Sequence, residues 1–199
     1  MAISFINNSC VDTVTLDDLC DVITKGTTPT TLGKKFMADG INFIKAESVL
    51  NNHIIDKNKL SFIDDDTHNL LKRSQIEEND VVLSIAGTIG RFAFVPNDYV
   101  PANTNQAVCI IRPKNINNLL LIYSYFCTGK QNIFFEEHTV QGVQANISLS
   151  TVGKTPIPNI KNDIFYKKTL TIFERIKNVI KENEKLNELK QMYLKKFFD

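Results

Sequence analysis

From Phe165 to Phe198 the chain contains neither proline nor glycine, and charged residues alternate with apolar ones throughout. The two residue types that most disrupt an α-helix are therefore absent from the run. The pattern predicts one long helix over roughly Phe165 to Phe198. Ile172, Ile176, Val179, Asn183, Leu186, Lys190, Tyr193 and Phe197 follow alternating steps of four and three. That is a coiled-coil seam, with Ile172, Val179, Leu186 and Tyr193 at d and Ile176 and Phe197 at a. Asn183 and Lys190 occupy the same seam, where polar groups reduce stability but discriminate between registers and partners. At about 1.5 Å per residue the helix would be roughly 50 Å long, beyond the radius of a body of ~160 residues. It is expected to pair with another helix.

The charge divides at the same place. Residues 161–199 hold ten Lys/Arg against six Asp/Glu, a net +4, which leaves 13 against 16, or −3, for residues 1–160. The body is not broadly basic, so any affinity for a phosphate backbone has to come from a local cluster or from partner subunits. No run reaches the ~18 uninterrupted apolar residues of a membrane span. The amino terminus, MAISFINNSCVDTVTLDD, lacks the basic start and apolar middle of a secretory signal. The expected compartment is the cytoplasm. Cys10, Cys20, Cys109 and Cys127 form no CxxC pair and lie at no metal-ligand spacing from His53, His68 or His138. They read as reduced, mostly buried thiols.

Within the body, Leu16, Leu19, Val22 and Ile23 have helical spacing behind Thr15, a candidate N-cap, which predicts a helix over Leu16 to Ile23. INFIKAESV begins as a strand, and Thr67 to Ser74 reads as a short helix. VVLSIAG, the turn TIG and RFAFVP form a β-hairpin pattern. VPANTNQ reads as a loop and AVCIIRP as a buried strand. A helix is expected over Leu119 to Cys127, continuing after Gly129 over Gln131 to Glu137. TVQGVQANISLST reads as a loop with strand-like residues, and TPIPNI as an extended exit. The fold class is α+β: a mixed, β-rich body over 1–160 followed by a long coiled-coil helix over 161–199.

No Walker-type loop, HExxH or nucleophile elbow is present, and SIAGTIGRF matches only GxxG, which suits a tight strand turn. The chain has no glycine-rich first turn of a dinucleotide-binding half. Asp64, Asp65 and Asp66 read as a solvated turn. No catalytic residue, metal or cofactor is expected. What remains is a set of polar loops: Lys25 to Lys35, Ser84 to Arg91, Ala102 to Gln106 and Gln141 to Asn146. They carry the side-chain types that meet base edges and phosphates. Singly each is ordinary solvent-facing sequence; the combination singles out Lys25, Thr27, Thr28, Lys34, Lys35, Lys45, Ser84, Thr88, Arg91, Asn103, Asn105, Gln106, Gln141, Gln144 and Asn146.

LDDLCDVITKGTTP, NFIKAESV, NDVVLSIAGTIGRFAFVP, ANTNQAVCIIRP, VQANISLSTVGKTPIP and the closing LKKFF occur in this order along nearly the whole chain. In these pieces the sequence resembles the specificity subunits of type I restriction-modification systems. The resemblance implies that 1–160 is a target recognition domain reading a few base pairs of double-stranded DNA, without catalysis of its own. Such subunits typically hold two of these domains, each followed by a long helix, and the two helices pack antiparallel as a spacer. This chain has one of each, which implies a half-subunit, natural or a fragment, that forms a homodimer through an antiparallel coiled coil and reads a bipartite site. Methyltransferase subunits and a helicase-nuclease restriction subunit would supply the catalysis. Lys34, Lys35 and Arg91 are then expected towards DNA, and Gln141, Gln144 and Asn146 at base edges. The competing expectation is a coiled-coil scaffold or inhibitory fragment that binds methyltransferase or specificity subunits without reading DNA.

Overall fold

The computed structural model describes residues 12–139 and 145–198, so Cys10, Gln141 and Gln144 lie outside the described residues. The chain forms two units, Met1–Lys161 and Asn162–Asp199.

The first unit runs β1 (Thr13–Thr15), α1 (Leu16–Leu19), β2 (Cys20–Lys25), β3 (Ile41–Ile44), β4 (Ser61–Ile63), α2 (Asp65–Leu70), β5 (Gln75–Ile76), β6 (Val81–Ser84) and β7 (Phe92–Phe94). It continues with β8 (Ala102–Thr104), β9 (Val108–Pro113), α3 (Ile116–Phe126), α4 (Lys130–His138), α5 (Leu149–Gly153) and β10 (Pro156–Pro158). One four-stranded sheet has the order β2-β9-β6-β7, another β4-β3-β8-β5, and β1 pairs with β10 in a separate ribbon. The first sheet is antiparallel throughout. In the second, β3 and β8 run parallel, with Ile44 opposite Thr104.

Ile44, Ile76 and Ala102 of one sheet join Val82, Ala93, Val108 and Ile110 of the other in a single buried cluster. Tyr99 belongs to it and donates its hydroxyl to the Ile55 carbonyl at 2.8 Å, so its one polar atom is satisfied. Behind the first sheet, Phe92 and Phe94 meet Tyr123 edge-on at 5.7 Å, and Phe92 meets Phe126 at 5.3 Å. Both faces of β6 are thus covered, which is why VVLS is apolar at consecutive rather than alternate positions. At roughly 1.5–3 kcal/mol per fully buried large apolar side chain, this double layer dominates the unit's stability. Asp80, buried beside β6, receives Arg112 Nε and Nη2, both at 2.8 Å, and Arg112 also reaches Glu77.

Three expectations are corrected. The predicted helix over Leu16 to Ile23 stops at Leu19. Thr15 caps it as expected, accepting from the Asp18 N–H while the Asp18 carboxylate takes the Thr15 N–H. Cys20 onward is then drawn into pairing with β9. Ala102–Thr104, read as loop, is a buried strand held between β3 and β5. Leu149–Gly153, read as loop and strand, is a short helix capped by Ser148, whose hydroxyl accepts from the Thr151 N–H at 3.0 Å. The hairpin is as read, with Val81 opposite Phe94.

The second unit is α6 (Asp163–Phe198), a helix of 36 residues, about 54 Å at 1.5 Å per residue. Asn162 opens it, its side-chain oxygen accepting from the N–H groups of Ile164 and Phe165. Ile172, Val179, Leu186, Tyr193 and Phe197 of the predicted seam are all exposed, Leu186 by 62% and Phe197 by 65%. Phe165, Thr169, Phe173 and Ile180, the buried residues of the helix, lie on a different stripe, roughly a quarter turn away at 100° per residue. Among the described residues no helix is long and apolar enough to cross a membrane.

Candidate nucleic-acid interface

Strand direction decides where the polar loops emerge. Lys25 ends β2 opposite Cys109 and Ser84 ends β6 opposite Val108, so both strands finish where β9 begins. Because β3 and β8 are parallel, Lys45 after Ile44 and Asn105 after Thr104 leave the second sheet side by side. The short connection 105–107 joins the two sheets at this edge, and hydrogen bonds gather the other loops around it. The Gly26 N–H donates to the Asn105 carbonyl at 3.1 Å and the Ile85 N–H to the Ala107 carbonyl at 2.9 Å. Thr28 donates its N–H and its hydroxyl to Gln106 Oε1, at 3.2 and 2.6 Å. From the far side of the sequence, the Ile147 N–H donates to the Ile85 carbonyl, and Ala86 bridges to Asn146. Segments of all four polar stretches therefore meet at one edge.

Gly26 is what permits this closure. A Cβ there would stand 1.7 Å from the Thr104 carbonyl oxygen, a backbone atom with no freedom to yield. The β6–β7 turn is organised from inside by Ser84, whose hydroxyl donates to the Thr88 carbonyl and accepts the Arg91 N–H at 3.0 Å.

The fifteen residues singled out from sequence fall into distinct settings. Lys25, Thr27, Lys45, Arg91 and Asn105 are half-buried at the edge, and Thr88, Gln106 and Asn146 are exposed. The Lys45 ammonium lies over the Phe36 ring at 4.2 Å. Lys35 is exposed. Lys34 is half-buried. The Asp64 carboxyl is held below its ordinary value first by the Thr67 hydrogen bonds and then by the Lys34 charge. Ser84 and Asn103 are corrections, because both are fully buried and cannot present their side chains to a duplex. Asn103 bonds inward to His68 Nδ1, the Leu71 carbonyl and Ser74 Oγ. Both residues support the edge from beneath.

Sequence reasoning missed His53, Gln131 and Asn132, which line a cleft next to Thr88 and Arg91. His53 adopts φ +64 and stacks on Phe92 at 4.1 Å. The positive φ had a sequence signal in the turn-forming NNH; the partnership with residues of α4 had none. Burial pushes the Cys20 thiol up to about 12 and raises Cys109 further, so these two thiols are protonated near neutral pH, whereas Cys127 is exposed. Among the described residues no group of three His, Cys, Asp or Glu side chains could hold a metal ion.

A family model described as the type I restriction modification DNA specificity domain matches residues 8–191. The type I restriction enzyme HindI specificity subunit of Haemophilus influenzae is 25% identical over 185 residues, 90% of this chain and 39% of that protein. The type I restriction-modification system S subunit from M. genitalium has the same fold, with a TM-score of 0.59 at 19% identity, covering 96% of this chain and 47% of that one. A chain from a structure of complex assembly and conformational transition in the type I R-M system gives 0.52 at 14% identity over 93% of this chain and 43% of its own. The chain thus spans less than half the length of these relatives.

Proposed function

This chain belongs to the family of type I restriction-modification DNA specificity domains, and from that premise we propose that its first unit reads a short DNA sequence without catalysing a reaction. The observation that carries this reading is the convergence of the polar loops at one edge, where Lys25, Lys45 and Arg91 accompany Asn105, Gln106 and Asn146. Cations there meet phosphates and set the position of the duplex; amides reach base edges and supply discrimination. Lys34 and Lys35 add charge along the first loop. The net −3 of residues 1–160 leaves part of the electrostatic affinity to methyltransferase subunits that clamp the same duplex, with the restriction subunit acting through the assembled complex.

In the second unit, an exposed seam carrying Ile172, Val179, Leu186, Tyr193 and Phe197 suits an antiparallel partner helix, from a second copy or a second repeat. Two copies would read a palindromic, bipartite site, because two-fold symmetry in the protein is matched in the DNA.

The test is selection from randomised duplexes by the chain purified with its methyltransferase subunit. A split motif is expected, and the absence of any enriched motif overturns the proposal. Lys35→Ala should weaken all sequences alike, whereas changes at Asn146 should alter which bases are accepted. The acidic balance of the body favours one competing reading, a scaffold or inhibitory fragment that binds its protein partners without reading DNA. That reading predicts no steep fall of DNA binding by the complex as salt rises.

A further inference from the structure

Beside the β6–β7 turn lies a cleft of about 280 Å³, walled by His53, Thr88, Arg91, Gly129, Gln131 and Asn132 among others. Three of its walls hold a buried polar atom without a hydrogen-bond partner among the described residues: His53 Nδ1, Arg91 Nε and Gln131 Oε1. Gln131 is only 1% exposed. Orphaned buried polar atoms are rare, because each one loses its hydration unless something meets it. Three around one opening mark a place built to receive a polar group.

The charge of that group follows from the walls. Among the described residues Arg91 is the one formally charged residue lining the cleft, and no carboxylate lines it. Helix α4 begins there with Gly129 as N-cap at φ +73; its first N–H, that of Lys130, donates to Thr128 Oγ1 at 3.3 Å, and no acidic residue stands in its first turn to oppose the positive end of its dipole. A guanidinium beside a helix start whose first turn holds no acid selects an anion, and tetrahedral oxyanions suit such sites. The Gln131 amide fits the same ligand. Its nitrogen donates to Asn132 Oδ1 at 3.3 Å; when both amides turn over together, Asn132 becomes the donor and the Gln131 NH₂ faces the cleft. Asn132 in turn closes on Gly90, where a Cβ would stand 2.3 Å from its Oδ1.

We propose that this cleft seats a phosphodiester group of the DNA backbone, held by Arg91, Gln131 and the start of α4. The proposal rests on the DNA-reading function above. It makes Arg91 and Gln131 positioning residues: they would set where the duplex lies against the edge formed by 105–107, and carry no base preference themselves.

Two measurements test it. In the first, inorganic phosphate is titrated into the free chain and the amide resonances of Gly129, Gln131 and Asn132 are followed by NMR. Saturable shifts are expected, weakened at least 10-fold in Arg91→Gln and in Gln131→Leu, each checked for an unchanged fold by circular dichroism. In the second, single neutral methylphosphonates are walked along the selected duplex bound by the methyltransferase complex. At one position per half-site the wild type should lose about 10-fold in affinity, and Arg91→Gln should lose nothing further there. Across sequences, Arg91→Gln should weaken binding uniformly and reduce the salt slope by about one. Phosphate shifts without a position coupled to Arg91 would assign the cleft to free phosphate and overturn the backbone contact. No shifts and no coupled position, with a split motif still read, would overturn the cleft alone. Failure to read any motif while phosphate still shifts these amides would instead overturn the DNA-reading function on which the backbone contact rests.

Discussion

Asn103→Ala separates a buried support from a solvent-facing reader. Asn103 is 0% exposed, and its amide meets His68 Nδ1, the Leu71 carbonyl at 3.1 Å and Ser74 Oγ at 3.1 Å. Each such bond contributes about 1 kcal/mol net, and truncation removes all three from a fully buried amide while the Leu71 carbonyl and Ser74 Oγ keep their bond to each other, so the loss should be about 3 kcal/mol. For a chain of this size that lowers the melting temperature by roughly 6–12 °C, at 2–4 °C per kcal/mol. Urea denaturation of the wild type, Asn103→Ala, His68→Ala and the double variant measures both the loss and the coupling. The pair should couple by about 1 kcal/mol, because His68 and Asn103 are direct partners. A loss below about 0.5 kcal/mol, the range of ordinary surface substitutions, would refute the placement of Asn103 in the interior.

Replacing Val179 and Leu186 together with Asp puts two charges into the exposed seam of α6, and sedimentation should show an assembly reduced to monomers; an unchanged molar mass would show that the seam is not the interface. Arg112→Met strands the Asp80 carboxylate, only 1% exposed in side chain, and should cost about 3 kcal/mol in urea, with much of it recovered by Asp80→Asn in the same chain. No recovery would place the loss elsewhere. Burial lowers the His53 pKa from its ordinary 6.5, opposed only in part by the Phe92 backbone. The unfolded chain therefore binds the proton more readily than the folded one. Stability from this group is complete above pH 6.5 and declines as pH falls below it. His53→Phe should flatten that decline, and parallel pH profiles for the two proteins would contradict it.

The parts of this fold that are legible in sequence are those whose signals are local. Val81–Ser84 and Phe92–Phe94 are apolar runs around a glycine turn, and α6 is a long periodic run without a breaker. Cys20–Ile23 reads as helix because Leu16, Leu19, Val22 and Ile23 satisfy helical spacing, while the force that pulls this segment straight is pairing with β9, almost ninety residues away. Asn103 misleads for the same reason. A polar residue in ANTN reads as solvent-facing until His68 and Ser74 arrive from a distant segment to satisfy it. Composition alone picks out the polar loops. Their meeting at one edge depends on register, Lys25 beside Cys109 and Ser84 beside Val108, which no local pattern encodes. The cleft is further still from view, since His53 and Gln131 become neighbours only after α3 has packed on the first sheet.

The β1–β10 ribbon places Thr13 opposite Pro158 and Thr15 opposite Pro156. The strands that bracket nearly the whole first unit therefore leave it through one shared doorway. A body tethered in this manner behaves as a cassette. A recombination event with its two crossover points in the ribbon would exchange everything between them, loops and both sheets together, without asking the new interior to match the old one. The polar loops at the sheet edge would then change in a single genetic step, while the segments outside the ribbon kept their sequence.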